Sequence, residues 1–206
     1  MKVSQQGNTV ILEDIKHFNP KHIFECGQCF RWIKQEDDSY TGVAMGKVIN
    51  VKQDGDKIYL DNTTKEDFDN IWYDYFDLGR DYEEMVNTLK VMDEYLEKAT
   101  EFGEGIRILK QDGWEMLISF IISANNRIPM IQRAINNLSK NFGTYIGEYK
   151  GQEYYAFPTS EQLSKASVEE IRACSTGFRD KYIKSTTDSV ILNNKNISYL
   201  PLKHVQ

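Results

Sequence analysis

A wide apolar stripe that ends abruptly at a pair of asparagines sets the tightest limit on how this chain can fold. Trp114, Leu117, Ile118, Ile121 and Ile122 recur at the spacing of one helix face, and a face that wide must be buried. Asp112 followed by Glu115 supplies a start of the capping-box kind. The stripe halts at Asn125-Asn126. Pro129 then fits the first turn of a second helix, whose core face is Ile128, Ile131, Ile135 and Leu138. The asparagine pair is therefore predicted to sit in a tight connection between two packed helices. Further on, Ser167 with Glu170 caps a short helix, Gly177 suits a C-terminal stop, and Asp180 begins the next helix. From Arg107 onward the pattern reads as helical throughout.

The first third has a different period. Segments near Cys29–Lys34, Tyr40–Met45, Lys47–Gln53 and Lys57–Asn62 are short, rich in strand formers and separated by polar or glycine turns. They predict an antiparallel meander, with Asp54-Gly55 the clearest hairpin signal. Thr64 followed by Asp67 marks a helix entry, and the next forty residues are mostly helical in composition. The fold class is α+β.

At 206 residues, 40% apolar and 27% charged, the chain has room for one large domain or two small ones. No apolar run approaches the ~20 residues of a membrane span, and the mixed, charged N-terminus lacks a signal-peptide core. A cytoplasmic protein with no membrane association and no obligate protein partner is expected. The formal charge of −6 is unevenly spread. Residues 1–103 hold 12 Lys+Arg against 21 Asp+Glu, and residues 104–206 hold 13 against 10. The second half can therefore present a basic face. Cys26-x-x-Cys29 has redox or zinc spacing, but zinc needs two further ligands and the candidates Cys174, His17, His22 and His204 are scattered. The Phe30-Arg31-Trp32 that follows reads as strand, not as the helix a redox dithiol opens. Reduced thiols are expected, with no metal and no cofactor.

Three segments carry the chemistry. They are Gly27-Gln28-Cys29-Phe30-Arg31-Trp32, Ser123-Ala124-Asn125-Asn126-Arg127 and Gly177-Phe178-Arg179-Asp180-Lys181-Tyr182. Each has an aromatic, a guanidinium or an amide at a turn, as stacking on bases and pairing with their edges require. Phe178-Arg179 reads either as an aromatic wedge with a base-reading arginine or as a buried Phe and a surface Arg. Asn125-Asn126 can equally be helix caps, and the Gly27 segment a turn before a strand.

Together these segments resemble the 8-oxoguanine DNA glycosylases. The resemblance rests on Gly27–Trp32, on Ser119–Asn126 with Asn141–Gly143, and on Gly177–Tyr182, in that order along the chain. Leu109-Lys110-Gln111-Asp112 and Phe157-Pro158 also fall where that family has similar residues. The resemblance implies excision of oxidised guanine after the base is flipped out of double-stranded DNA containing 8-oxoguanine. It implies an N-terminal antiparallel sheet domain over residues 1–105, packed against an all-helical domain over 106–206 that is incomplete at its C-terminus. The Gly27 carbonyl would face the flipped base: N7 of guanine is an acceptor, whereas N7 of 8-oxoguanine carries a hydrogen, so a fixed carbonyl attracts only the second. Asn125 and Phe178 would fill the space the base leaves, with Asn126 beside them. Arg179 would reach the estranged cytosine, and Phe120 would line the region behind the base.

Two departures stand out. Where many members carry a cytosine-contacting arginine, this chain has Met130. The family's Leu-Pro-Gly-x-Gly-x-Lys segment, its catalytic lysine and its downstream aspartate have no match here, and Leu200-Pro201-Leu202-Lys203 is only a partial echo. In a complete member that lysine amine attacks the sugar C1′, expels the base and forms a Schiff base that can break the strand by β-elimination. No catalytic residue is assigned in this chain, and the polypeptide alone is expected not to turn over. Two further readings remain: a non-catalytic lesion-binding DNA protein, and a helical interaction module.

Overall fold

Along Lys57–Asp61, Ile58 and Leu60 are buried and alternate with half-exposed neighbours, the signature of a strand with one covered face. The computed structural model describes residues 1–193 and places this strand, β6, inside a six-stranded antiparallel sheet. The others are β1 (Lys2–Gln6), β2 (Thr9–Glu13), β3 (Trp32–Lys34), β4 (Tyr40–Ala44) and β5 (Lys47–Asp54), in the order β1-β2-β6-β5-β4-β3. The β5–β6 turn falls at Gly55-Asp56, with Gly55 at φ 59° and Asp54 paired with Lys57. Glycine at the first central position suits a tight hairpin. Two features differ from the sequence reading. The strand expected from Cys29 begins only at Trp32, because Gly27–Arg31 form a loop. The β1–β2 hairpin had no strong signal, since its turn is Gly7-Asn8 rather than Asn-Gly and β1 is largely exposed.

Contacts divide the chain into two units, one of Met1–Gly42 with Val48–Lys110, the other of Val43–Lys47 with the residues from Gln111 on. In the first, helix α1 (Pro20–Glu25) is capped by the Asn19 side chain. A longer helical stretch runs through α2 (Lys65–Asp67), a π-helical turn (Phe68–Trp72) and α3 (Tyr73–Tyr75). The Thr64 hydroxyl accepts from Asp67 N, as the sequence indicated. These helices supply an aromatic core. Phe24 stacks on Trp32 with centroids 4.0 Å apart, Trp32 Nε1 donates to the Tyr75 hydroxyl at 3.0 Å, and Trp72 Nε1 donates to Thr63 Oγ1 at 2.8 Å. Gly42 is paired with Trp32 across β3–β4, and a Cβ there would fall inside the indole. The unit ends in two nine-residue helices, α4 (Tyr82–Lys90) and α5 (Glu94–Phe102), capped by Asp81 and Asp93.

In the second unit, α6 (Gly113–Ser123) starts where expected, with the Asp112 carboxylate accepting from Glu115 N at 2.9 Å. Trp114, Ile118 and Ile122 of its stripe are buried, against Ile131, Ile135 and Leu138 of α7 (Ile128–Phe142). Ile128 was expected in that core but is exposed, because it occupies the first turn of α7 at the helix junction. The unit is not all-helical: β7 (Tyr145–Tyr149) and β8 (Gln152–Tyr155) form a hairpin after α7. Its turn, Lys150-Gly151, has positive φ at both residues. Lysine is not among the usual signals for such a turn. Gly143 permits the transition, since a Cβ there would collide with the Ala156 carbonyl. Among the described residues the unit also holds α8 (Ser160–Ser164), α9 (Val168–Ile171) and α10 (Asp180–Leu192), the first two opened by capping boxes at Thr159 and Ser167. Among the described residues no helix is long and apolar enough to cross a membrane.

Candidate nucleic-acid interface

Gly27 lies in the loop between α1 and β3, exposed and at φ 88°. Nothing lies within 4 Å of where its Cβ would be, so glycine answers the backbone conformation there and not crowding. Its neighbour Gln28 fixes the loop. The Gln28 side-chain amide donates to the carbonyls of Ile23 and Arg107, and its oxygen accepts from Leu109 N, all at 2.9 Å. Arg107 is buried in turn, donating to the carbonyls of Lys16, His17 and Asp77 and lying 4.5 Å over the Tyr82 ring. The sequence alone assigns no role of its own to Gln28 or to Arg107. The signal for Gln28 was inside the Gly-Gln motif, while that for Arg107 depends on partners about 30 and 90 residues away.

The other site residues belong to the second unit. Helix α6 ends at Ser123, and the chain turns through Ala124, then Asn125 at φ 50°, then Asn126. Asn126 closes the turn locally: its N–H donates to Ser123 O, its side-chain amide to Ile122 O, and its side-chain oxygen accepts from Arg127 N. The Asn125 side chain makes no hydrogen bond among the described residues. Across from this turn, a π-helical turn (Arg172–Thr176) leads into a one-turn 3₁₀ segment (Gly177–Arg179) that carries Phe178 and Arg179. Ser175 has φ 68°, and its corner is held by the Asn137 amide, which donates to Cys174 O and Ser175 Oγ.

Here the orientation contradicts one sequence alternative outright. Phe178 is 63% exposed and Arg179 only 7% exposed, the reverse of a buried Phe beside a surface Arg. Arg179 Nη2 donates to the carbonyls of Ala124 at 2.5 Å and Asn125 at 3.0 Å, and Nε donates to Ala124 O at 3.1 Å. The guanidinium also lies 4.4 Å over the Phe178 ring. These carbonyls lie just past the C-terminus of α6, where a cation suits the helix dipole. Arg179 thus binds the Asn125 turn to the Phe178 corner. Phe120, on α6, is 73% exposed, and Met130 sits exposed on the first turn of α7. Gly27 is in the other unit.

Beneath the corner, Asp180 is fully buried, accepting from Arg172 Nε at 2.5 Å and from Lys181 N at 2.7 Å. Burial alone would raise its pKa, but these donors hold the carboxyl below the usual range. Cys174 is buried, which pushes its thiol up despite a contact from the Asn141 amide. Cys26 and Cys29 are not joined in a disulfide, and their thiols donate to the carbonyls of Ile23 and Phe24. Among the described residues no three His, Cys, Asp or Glu side chains gather as metal ligands. Leu200–Lys203 lies outside the described residues.

Residues 10–117 match the family model of the 8-oxoguanine DNA glycosylase N-terminal domain. The chain belongs to the 8-oxoguanine DNA glycosylase family. The N-glycosylase/DNA lyase of Saccharomyces cerevisiae is 34% identical over 185 residues, spanning 82% of this chain and 49% of the yeast protein. That of Arabidopsis thaliana is 29% identical over 178 residues, spanning 81% and 47%. Among solved structures, the Clostridium acetobutylicum 8-oxoguanine glycosylase/lyase bound to DNA with cytosine opposite 8-oxoG is 46% identical. Its TM-score is 0.92, over 97% of this chain and 68% of that one. MBOgg1 in complex with a low-affinity DNA ligand is 50% identical, with a TM-score of 0.91 over 95% and 67%. The chain spans about half the length of the curated relatives it matches.

Proposed function

We propose that this chain carries the lesion-reading part of an 8-oxoguanine DNA glycosylase/lyase and acts on double-stranded DNA in the cytoplasm. In this reading, residues 1–105 are the sheet domain that presents the Gly27 carbonyl to the flipped base. Residues 106–206 belong to the DNA-facing helical domain. Phe120 lines the base site, and Asn125, Asn126, Met130, Phe178 and Arg179 form the edge that meets the duplex. One observation carries the reading most: Phe178 stands exposed on a fixed corner, hydrogen-bonded through Arg179 to the turn that presents Asn125. An exposed aromatic on a rigid mount can enter a base stack without losing much side-chain freedom.

The base-reading chemistry needs a carbonyl that does not move. The three hydrogen bonds of Gln28 hold the Gly27 loop in this way, so N7–H of 8-oxoguanine would gain a bond where N7 of guanine would meet repulsion. The test is fluorescence anisotropy with duplexes differing only in 8-oxoguanine or guanine opposite cytosine. The lesion duplex is expected to bind at least about tenfold tighter, the effect of roughly 1.4 kcal/mol. Equal affinities would remove the basis for this function.

A further inference from the structure

Resting on that reading, we infer that Arg107 is a positioning residue for lesion reading, which acts on the Gly27 loop through the segment 104–109. Main-chain groups of this segment carry both α1 and the loop. Glu104 O lies 2.7 Å from His22 Nδ1, and Gly105 O accepts from Asn19 N at 2.9 Å. Arg107 O and Leu109 N take the two ends of the Gln28 amide. Gly105 comes so close to α1 that a Cβ on it would fall 2.6 Å from Asn19 Cβ. The segment is the seat on which helix and loop rest.

One side chain holds that seat from behind. Arg107 is only 4% exposed, and Nε donates to His17 O at 2.7 Å, Nη1 to Asp77 O and Nη2 to Lys16 O, both at 2.9 Å. Its guanidinium covers the Tyr82 ring, whose hydroxyl accepts from Ile108 N at 2.9 Å. Taking a cation out of water is costly unless its N–H groups are bonded. Here all three acceptors are main-chain carbonyls, drawn from two separate turns of the chain. His17 and Asp77 stand at φ 51° and 50°, a strained conformation that persists where the surroundings fix it. A rigid fork can span both turns, whereas the single point donor of lysine cannot. Gln28 therefore takes its geometry from a segment that Arg107 ties to the rest of the unit.

A positioning residue and a merely stabilising one lose different things. Lower stability alone weakens binding to every duplex alike, through the folded fraction. A loosened loop instead lowers the preference for 8-oxoguanine over guanine, because the carbonyl no longer stands in one place. If Arg107 works through Gln28, the Gln28→Ala, Arg107→Met double variant keeps as much preference as Gln28→Ala alone.

Two measurements on the 206-residue chain decide this. The first is hydrogen exchange without DNA. Arg107→Met keeps an apolar stem and removes the fork. It is expected to speed exchange at the Ile108 and Leu109 amides by on the order of tenfold relative to those of β6. The second is affinity for duplexes carrying 8-oxoguanine or guanine opposite cytosine. Arg107→Met is expected to lower the lesion preference at least about threefold, with guanine-duplex affinity held within about twofold. Thr63→Val, which removes the acceptor of the Trp72 indole in the same unit, is expected to lower Tm and leave the preference intact. Exchange unchanged relative to β6, equal losses on both duplexes, or a further loss in the double variant would each overturn the inference. Should Arg107→Met not fold, Arg107→Lys is measured by the same criteria. It keeps the charge and one bond, so a smaller loss in the same direction is expected. A wild-type chain without lesion preference overturns the proposed function, and the exchange comparison then decides by itself whether Arg107 holds the seat.

Discussion

Gly177 shows how much a single residue contributes to the candidate interface. Its φ of 60° and ψ of −139° lie where side chains with a Cβ are strained, although a Cβ would meet nothing closer than Arg179 Nη1 at 3.9 Å. The demand is for conformation, not space. Gly177→Ala is expected to cost about 1–3 kcal/mol in urea denaturation, and an unchanged midpoint would show that the corner relaxes freely. Asp180 adds a pH dependence. Its folded-state pKa is held below the ordinary 3.8, so its ion pair stabilises the fold above that value and is lost as pH falls through the folded-state value. Wild type and Asp180→Asn should therefore differ in Tm at neutral pH and converge only as the pH falls below 3.8 and through the folded-state value. A constant gap down the acid limb would contradict the assignment. At this scale the sequence identified the motif but not its orientation. Gly-Phe-Arg signalled a corner, while the burial of Arg179 depends on carbonyls 54 and 55 residues away at the end of α6.

Elements with strong local signals formed as read: α6 behind Asp112, α9 behind Ser167, and the β5–β6 hairpin at Gly55. Those that departed did so where local chemistry was weak. The β7–β8 hairpin turns on Lys150-Gly151 and follows the end of α7 at Gly143, where a Cβ would collide with the Ala156 carbonyl. Helices α4 and α5 are a different case. Each has nine residues, α5 buries none of them, and Tyr95 and Phe102 are 86% and 88% exposed. Helices below ~12–15 residues are marginal without tertiary burial. The amides of α5 are therefore expected to exchange far faster than those of α7, which buries Ile131, Ile135 and Leu138. Equal protection in the two helices would show that α5 is stabilised by something other than burial.

Over the whole molecule, the α+β class and the antiparallel sheet could be read from period and turn chemistry. The mounting of the site could not, because it runs through long-range side-chain-to-backbone bonds. The chain's 206 residues contain no Leu-Pro-Gly-x-Gly-x-Lys segment. The Gly27 loop has a further consequence, for heredity. Its shape rests on one glutamine that gives two N–H bonds and takes one. Among the coded residues only asparagine carries the same amide, and it is one methylene short. Glutamate has the length but would turn an oxygen toward two carbonyls, and its codons differ from those of glutamine by a single base. A single base change in one codon is thus enough to remove both N–H bonds that hold this loop.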